Sequence, residues 1–287
     1  MTFKPLPFVL KTLTPEMEKK ATLELGETPE VKQNSLEELK RLIRKKTGFE
    51  PFMDNIFLLS FLRWKKFHIE KAFQALCNFY YLKEKYSGVY FDIKPSKLIH
   101  VLQMNHLTNQ PLRDPDGCNV GILRPGYHDL KVATPEELYA TIMCMWLATS
   151  EMEAFQICGA VLISDWKDLS YETFKVLANP RRIYFAIEVL RCLPSRVKSI
   201  HMVNVPSFFN IFYNLIKILL PQKILKRVFV HTSDLTEFHK LVPPEILPEE
   251  LGGTLGPINN NKHYIPFFLN KEHYIDQVNK GGIEVKH

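Results

Sequence analysis

Apolar residues recur at helical spacing through roughly the first ninety positions. Thr14-Pro15-Glu16 offers an N-cap, a first-turn proline and an early acid. Asn34 or Ser35 offers a second cap, ahead of Leu36, Leu39, Leu42 and Ile43, which share a helix face until Gly48 stops them. Asp54 caps a short apolar helix over 56–62. A longer helix over 69–86 sets Ala72, Phe73, Leu76, Phe79 and Tyr80 on one stripe, the ordinary signal of helix packing. The pattern predicts a helical unit over 14–90, preceded by a short extension, 1–13.

Beyond Gly88 the pattern changes. Turn-rich pieces (Asn109-Gln110-Pro111, Asp114-Pro115-Asp116-Gly117, Pro125-Gly126) alternate with apolar runs such as Val120-Gly121-Ile122-Leu123. Thr134-Pro135-Glu136-Glu137 starts a long helix over 135–152, followed by a strand over 159–164 and a helix over 180–192. Next come a strand over 199–203, a helix over 206–220, a strand over 228–231 and a helix over 234–240. Strands alternating with helices of this length indicate α/β architecture with a largely parallel sheet. This second unit is expected over 91–256, with a C-terminal tail over 257–287.

Composition sharpens the picture in one respect. The 287 residues are 46% apolar and 24% charged, ordinary for a folded protein of about two domains. Yet 20 Phe, 11 Tyr and 3 Trp accompany only 12 Gly, so the aromatic bulk either fills a large core or lines a cavity. The five cysteines (77, 118, 144, 158, 192) are never spaced CxxC, and three lie in apolar stretches, as reduced core thiols do. The N-terminal residues lack the apolar run and cleavage site of a signal peptide. No stretch approaches the ~20 apolar residues of a membrane span. A cytosolic chain is expected, in a reducing compartment.

Common catalytic signatures are missing: no GxSxG, no phosphate loop, no HExxH. Leu251-Gly252-Gly253-Thr254-Leu255-Gly256 follows three prolines and reads as chain reversal. His100 and His106 are too far apart on a helix to share a metal, and Asp165 after a strand reads as a turn cap. Accordingly no catalytic residue, metal or cofactor is expected.

The helix over 206–220 is apolar nearly all round, interrupted only by Asn210, Asn214 and Lys217. Such a helix is either central core or the cover of something greasy. Its surroundings are cationic. Between Arg181 and Arg227 nine basic residues face one acid, Glu188, a local balance of +8 against +6 for the whole chain. Arg196 and Lys198 alternate onto one side of a strand entry, and Lys223 and Arg227 stand one helical turn apart. The cluster is either a solvated face or a rim suited to an anionic membrane, where each basic residue adds about 1 kcal/mol.

The stretch 54–72, DNIFLLSFLRWKKFHIEKA, closely resembles the N-terminal motif of CRAL-TRIO lipid-transfer proteins. Gly159 with Ile163-Ser164-Asp165-Trp166, then 200–206 (IHMVNVP) and 247–253 (LPEELGG), are similar to further motifs of that family and follow in its order. The resemblance covers roughly 35–255 and is strongest to the tocopherol-transfer, retinaldehyde-binding and clavesin branch. It implies a helical N-terminal unit followed by a βα lipid-binding cage, with 206–221 as a mobile lid helix. In that branch five basic residues grip a phosphatidylinositol bisphosphate headgroup. The resemblance assigns this role to Lys65, Arg196, Lys198, Lys223 and Arg227. Charge is kept at all five, but lysine replaces arginine at the first and third, trading a bidentate fork for a point donor. Val205 departs from the acidic residue of the branch.

Helical and strand spacing nominates side chains for the cavity so implied: Tyr139, Ile142, Met143 and Trp146; Phe185, Val189 and Cys192; Leu162 and Ser164; and Phe209, Phe212 and Ile216. Taken singly, each reads more readily as plain core than as a ligand contact. The expected function is a monomeric carrier, not an enzyme, that holds one tocopherol- or retinoid-like molecule and meets endosomal or plasma membranes peripherally, without nucleic acid. Two alternatives are a phosphatidylinositol or phosphatidylcholine exchanger and a lipid-responsive trafficking adaptor.

Overall fold

Thr14 accepts a hydrogen bond from the Met17 N–H and opens α1 (Pro15–Lys20). The computed structural model describes residues 5–231, 234–259 and 261–284. The rest of the extension and tail, and the side chains of Ile211 and Leu215 in the apolar helix, lie outside the described residues. α1 continues into a π-helical turn, Ala21–Leu25, closed by Gly26 at φ 74°, a left-handed conformation that glycine adopts without strain. α2 (Pro29–Lys45) begins earlier than the spacing predicts. Thr28-Pro29-Glu30 repeats the Thr-Pro-Glu start, so Thr28 is the cap and Asn34 and Ser35 lie inside the helix. After β1 (Phe49–Glu50) come α3 (Asn55–Trp64), capped by Asp54, and α4 (Ile69–Lys85).

The second unit opens with α5 (Ile99–Gln103), β2 (Leu107–Asn109) and β3 (Asn119–Leu123). A complete Thr134/Glu137 capping box starts α6 (Pro135–Ser150), followed by α7 (Glu153–Cys158) and β4 (Ala160–Asp165). Next are α8 (Tyr171–Leu177), α9 (Pro180–Cys192) and β5 (Val197–Val203). α10 (Phe209–Ile216) is shorter than the expected 206–220 helix: its chain leaves the helix through a turn before α11 (Gln222–Leu225) and β6 (Val228–Val230). α12 (Thr236–Leu241), α13 (Ile265–Asn270), α14 (Glu272–Lys280) and β7 (Gly282–Ile283) complete the chain.

The strands form one five-stranded sheet in the order β2-β3-β4-β5-β6, with β2 antiparallel and the remainder parallel. One face carries Val120, Ile122, Val161, Ile163 and Val203 into a core shared with Met17, Ala21, Leu25 and Phe238. A larger core joins α2, α3 and α4 to α6 and to the C-terminal helices. β7 pairs with β1, and the Tyr80 hydroxyl accepts from the Phe52 N–H and donates to the Val278 carbonyl, so the chain end is locked onto the helical unit. Arg63, 1% exposed, bonds Glu27, Glu153 and Gln156 and fastens α3 to α7. Among the described residues no helix is long and apolar enough to cross a membrane. All five cysteines are free, and four are buried.

Candidate functional site

The second face of the sheet is incompletely covered. Register places Gly121, Leu162, Ile200 and Val228 in one row and Leu123, Ser164, Met202 and Val230 in the next. Alternation along a strand sends all of them to the side opposite the Val161–Ile163 core. Although β4 and β5 are interior strands, Leu162, Ser164, Ile200 and Met202 are only half-buried. Leu162, Ile200 and Met202 belong to neither apolar cluster among the described residues. These side chains keep accessible surface where an interior strand is ordinarily covered on both faces.

Leu123, in the second of these rows, packs against the core to which α6 belongs. From Leu138 to Ser150 its half-buried residues are Tyr139, Ile142 and Trp146, an i, i+3, i+7 stripe, while all others are buried. Burial pushes the Tyr139 phenol up to about 12, the mark of a group deep in the protein, yet the side chain keeps accessible surface. Val189 and Cys192 on α9 and Phe212 and Ile216 on α10 are likewise half-buried. Three nominated side chains sit differently. Met143 is fully buried in the core. Phe185 stacks on Tyr90 at 4.0 Å and meets Tyr86 and Tyr139 edge-on. Phe209 packs edge-on against Trp166 at 4.8 Å. α10 is held over the end of β4 by an aromatic group the sequence reading passed over: Trp166 contacts Phe209 and Phe212, and Phe174 contacts Phe208 and Phe212. Ile200 and Met202 were also missed. Their signal was the alternation of β5, legible once its register with Leu162 and Ser164 is known.

The five nominated basic residues converge. Burial first, and then the charge of Lys223, holds the Lys65 ammonium below the usual lysine range. Lys223 is lowered in the same sense, by burial and then by Arg227, Arg196, Lys66 and Lys198. Lys65 Nζ also sits 3.3 Å from the Trp64 ring centroid, a cation–π contact. Arg196 donates to the Ile157 carbonyl and Arg227 to the Val197 carbonyl, which anchors both guanidinia on backbone. Arg196 and Lys198 both reach Glu24 in the π-helical turn. Burial and neighbouring positive charge thus act together on Lys65 and Lys223.

Other polar groups have structural partners. His106 lies 3.0 Å from His128, and His100 lies 3.2 Å from Glu137. Asp165 accepts from the Lys167 N–H, as a turn cap does, and also from Asn204. Gly252, at φ 71°, ends a 3-10 turn, so the glycine-rich loop reverses the chain. Among the described residues no three His, Cys, Asp or Glu side chains are grouped to hold a metal.

The fold is a mostly parallel five-stranded sheet with α-helices packed about it, and comparison with known proteins gives it a family. The model of the CRAL/TRIO domain matches residues 104–253, and the chain belongs to that family of lipid-binding and lipid-transfer proteins. It is 33% identical over 261 residues to alpha-tocopherol transfer protein-like from Homo sapiens, covering 88% of this chain and 74% of that one. It is 31% identical over 250 residues to clavesin-2 from Mus musculus, covering 85% and 76% respectively. Among solved structures, Sfh5 aligns over 92% of this chain and 99% of its own, at a TM-score of 0.49 and 12% identity.

Proposed function

We propose that this protein is a cytoplasmic carrier that encloses one hydrophobic molecule, tocopherol- or retinoid-like, between the open sheet face and α6, α9 and α10. The supporting observation is the set of interior-strand side chains, Leu162, Ser164, Ile200 and Met202, left only half-buried on one sheet face, together with the half-buried Tyr139–Ile142–Trp146 stripe of α6. Val189, Cys192, Phe212 and Ile216 complete the lining, with Met143, Phe185 and Phe209 behind it as support. α10 acts as the lid. Ile218, 79% exposed, and Leu219 present apolar surface at its end, beside the exposed Tyr184. Lys65, Arg196, Lys198, Lys223 and Arg227 take the headgroup of a phosphatidylinositol bisphosphate. Membrane contact through these cations then offsets the cost of exposing the lid's apolar underside. The lining is apolar apart from Ser164, the Tyr139 hydroxyl, the Trp146 N–H and the Cys192 thiol, and burial raises both Tyr139 and Cys192 above their ordinary values, which fits cargo binding and not acid–base catalysis.

Transfer of a fluorescent tocopherol between vesicles tests the reading. Bisphosphorylated inositide in the acceptor vesicles should accelerate transfer. No uptake of tocopherol or retinoid, together with exchange of phosphatidylinositol or phosphatidylcholine, would move the assignment to a phospholipid exchanger. Vesicle binding without any cargo uptake would move it to a lipid-responsive adaptor.

A further inference from the structure

Glu24 supplies the carboxylate to which the basic cluster is already bound. Its Oε2 accepts from Arg196 Nη2 and lies 3.2 Å from Lys198 Nζ, while its Oε1 lies 4.0 Å from Lys20 Nζ. Among the described residues Lys65, Lys223 and Arg227 form no ion pair, so the cluster is divided into an occupied half and a vacant half. The division is built into the backbone. Glu24 lies in the π-helical turn, an uncommon geometry that recurs at functional sites. Ala21 and Leu25 of that turn are buried in the core with Met17, and Gly26 closes it. The backbone therefore holds its place, while the Glu24 side chain is 38% exposed and free to swing outward.

We propose that Glu24 sets the headgroup selectivity of the cluster: it occupies Arg196 and Lys198 in the unliganded protein, and a headgroup bearing at least two phosphate monoesters displaces it. This rests on the reading of the cluster as a phosphoinositide site. A single phosphate monoester, with a charge of about −1.5 to −2, is satisfied by Lys65, Lys223 and Arg227 and leaves the Glu24 pairs intact. A second one gains Arg196 and Lys198 in exchange for a carboxylate of lower charge, so the exchange is favourable. A lipid carboxylate offers no more charge than Glu24 and gains nothing. The selectivity is thus for charge count at fixed positions, independent of how tightly the cargo is held.

Binding to phosphatidylcholine vesicles carrying phosphatidylinositol monophosphate or bisphosphate tests this with Glu24→Gln, which keeps the shape and removes the charge. Bisphosphate binding, which no longer has to displace a carboxylate, should strengthen about ten-fold, while monophosphate binding changes little, so the bisphosphate-to-monophosphate ratio widens. Glu24→Asp, which keeps the charge on a shorter reach, should widen it less, and carries the test if the glutamine variant fails to fold. The same series with soluble inositol phosphates distinguishes capture of the free headgroup from capture of the lipid; the ratio must widen in whichever arm binds. An unchanged ratio in both variants, while Lys223→Glu with Arg227→Glu abolishes binding, overturns the selectivity role and leaves the phosphoinositide site standing. If the charge reversal is also without effect, the site reading fails and the proposal with it.

Discussion

Arg191 Nη2 donates to the carbonyl oxygen of Leu219 at 3.0 Å, joining α9 to the turn that follows α10. The bond holds the chain just after α10, whereas the aromatic contacts of Phe208, Phe209 and Phe212 hold the start of the helix. The two attachments differ in strength. One is a partly exposed hydrogen bond, and the other a packed aromatic group.

Arg191→Ala should therefore loosen the lid at one end without unfolding it. Loss of a bond worth about 1 kcal/mol permits roughly a five-fold rise in cargo transfer. Amide exchange over 209–220 should accelerate while the sheet remains protected. Unchanged transfer and exchange would mean that the latch does not limit opening.

The half-buried and fully buried nominees should separate cleanly. Leu162→Trp adds bulk to the open face, so it should abolish tocopherol uptake with little change in the urea midpoint. Phe185→Ala empties a packed site among Tyr86, Tyr90 and Tyr139 and should cost about 3–5 kcal/mol. If Leu162→Trp unfolds the protein as severely as Phe185→Ala, the sheet face is closed core and the cleft reading fails.

Like charges crowd Lys223, which sets stability against function at that position. Lys223→Gln relieves the repulsion and should raise the thermal midpoint slightly. The same change should weaken binding to bisphosphorylated-inositide vesicles about five-fold, in line with about 1 kcal/mol per basic residue. The salt dependence of binding should flatten in step. A fall in the midpoint would show that Lys223 has a stabilising partner.

Much of this is legible in the sequence, and the limits follow a physical rule. Capping residues and helix stripes are local, so Thr14, Asp54 and Thr134 announced their helices, and Tyr139, Ile142 and Trp146 announced a shared face. Which stripe is core and which faces a cleft depends on what covers it from elsewhere in the chain; that is why Met143, Phe185 and Trp146 read alike. Ile200 and Met202 became informative only through inter-strand register. The Glu24 pair spans 172 residues, beyond any periodicity. Over 257–287 the spacing of Tyr264 and Phe268, and of Ile275 and Val278, did carry a helical signal for α13 and α14, although the two segments are too short for it to stand out.

Acid should weaken the protein before its carboxylates titrate. His106 and His128 are buried side by side; burial first, then the charges of His128 and Arg124, pull His106 down to about 3. His128 is lowered mainly by burial, against the opposing pull of the Ala133 backbone, Asp129 and Glu137. In the second pair, burial and then His231 bring His201 down to about 4. An unfolded histidine titrates near 6.5, so between that pH and the folded values the unfolded chain binds more protons. Stability is accordingly complete above about pH 6.5 and is lost as the pH falls towards 4, His106 contributing at most about 1.4 kcal/mol per pH unit. The carboxylates of Glu24 and Glu153 are held below their usual range, so their contribution fades only at lower pH. Urea midpoints at pH 7 and pH 5 should therefore differ clearly in the wild type. His106→Gln keeps a hydrogen-bonding side chain beside His128 but cannot take up a proton, and should flatten the difference. An identical pH slope in the variant would place the acid sensitivity elsewhere.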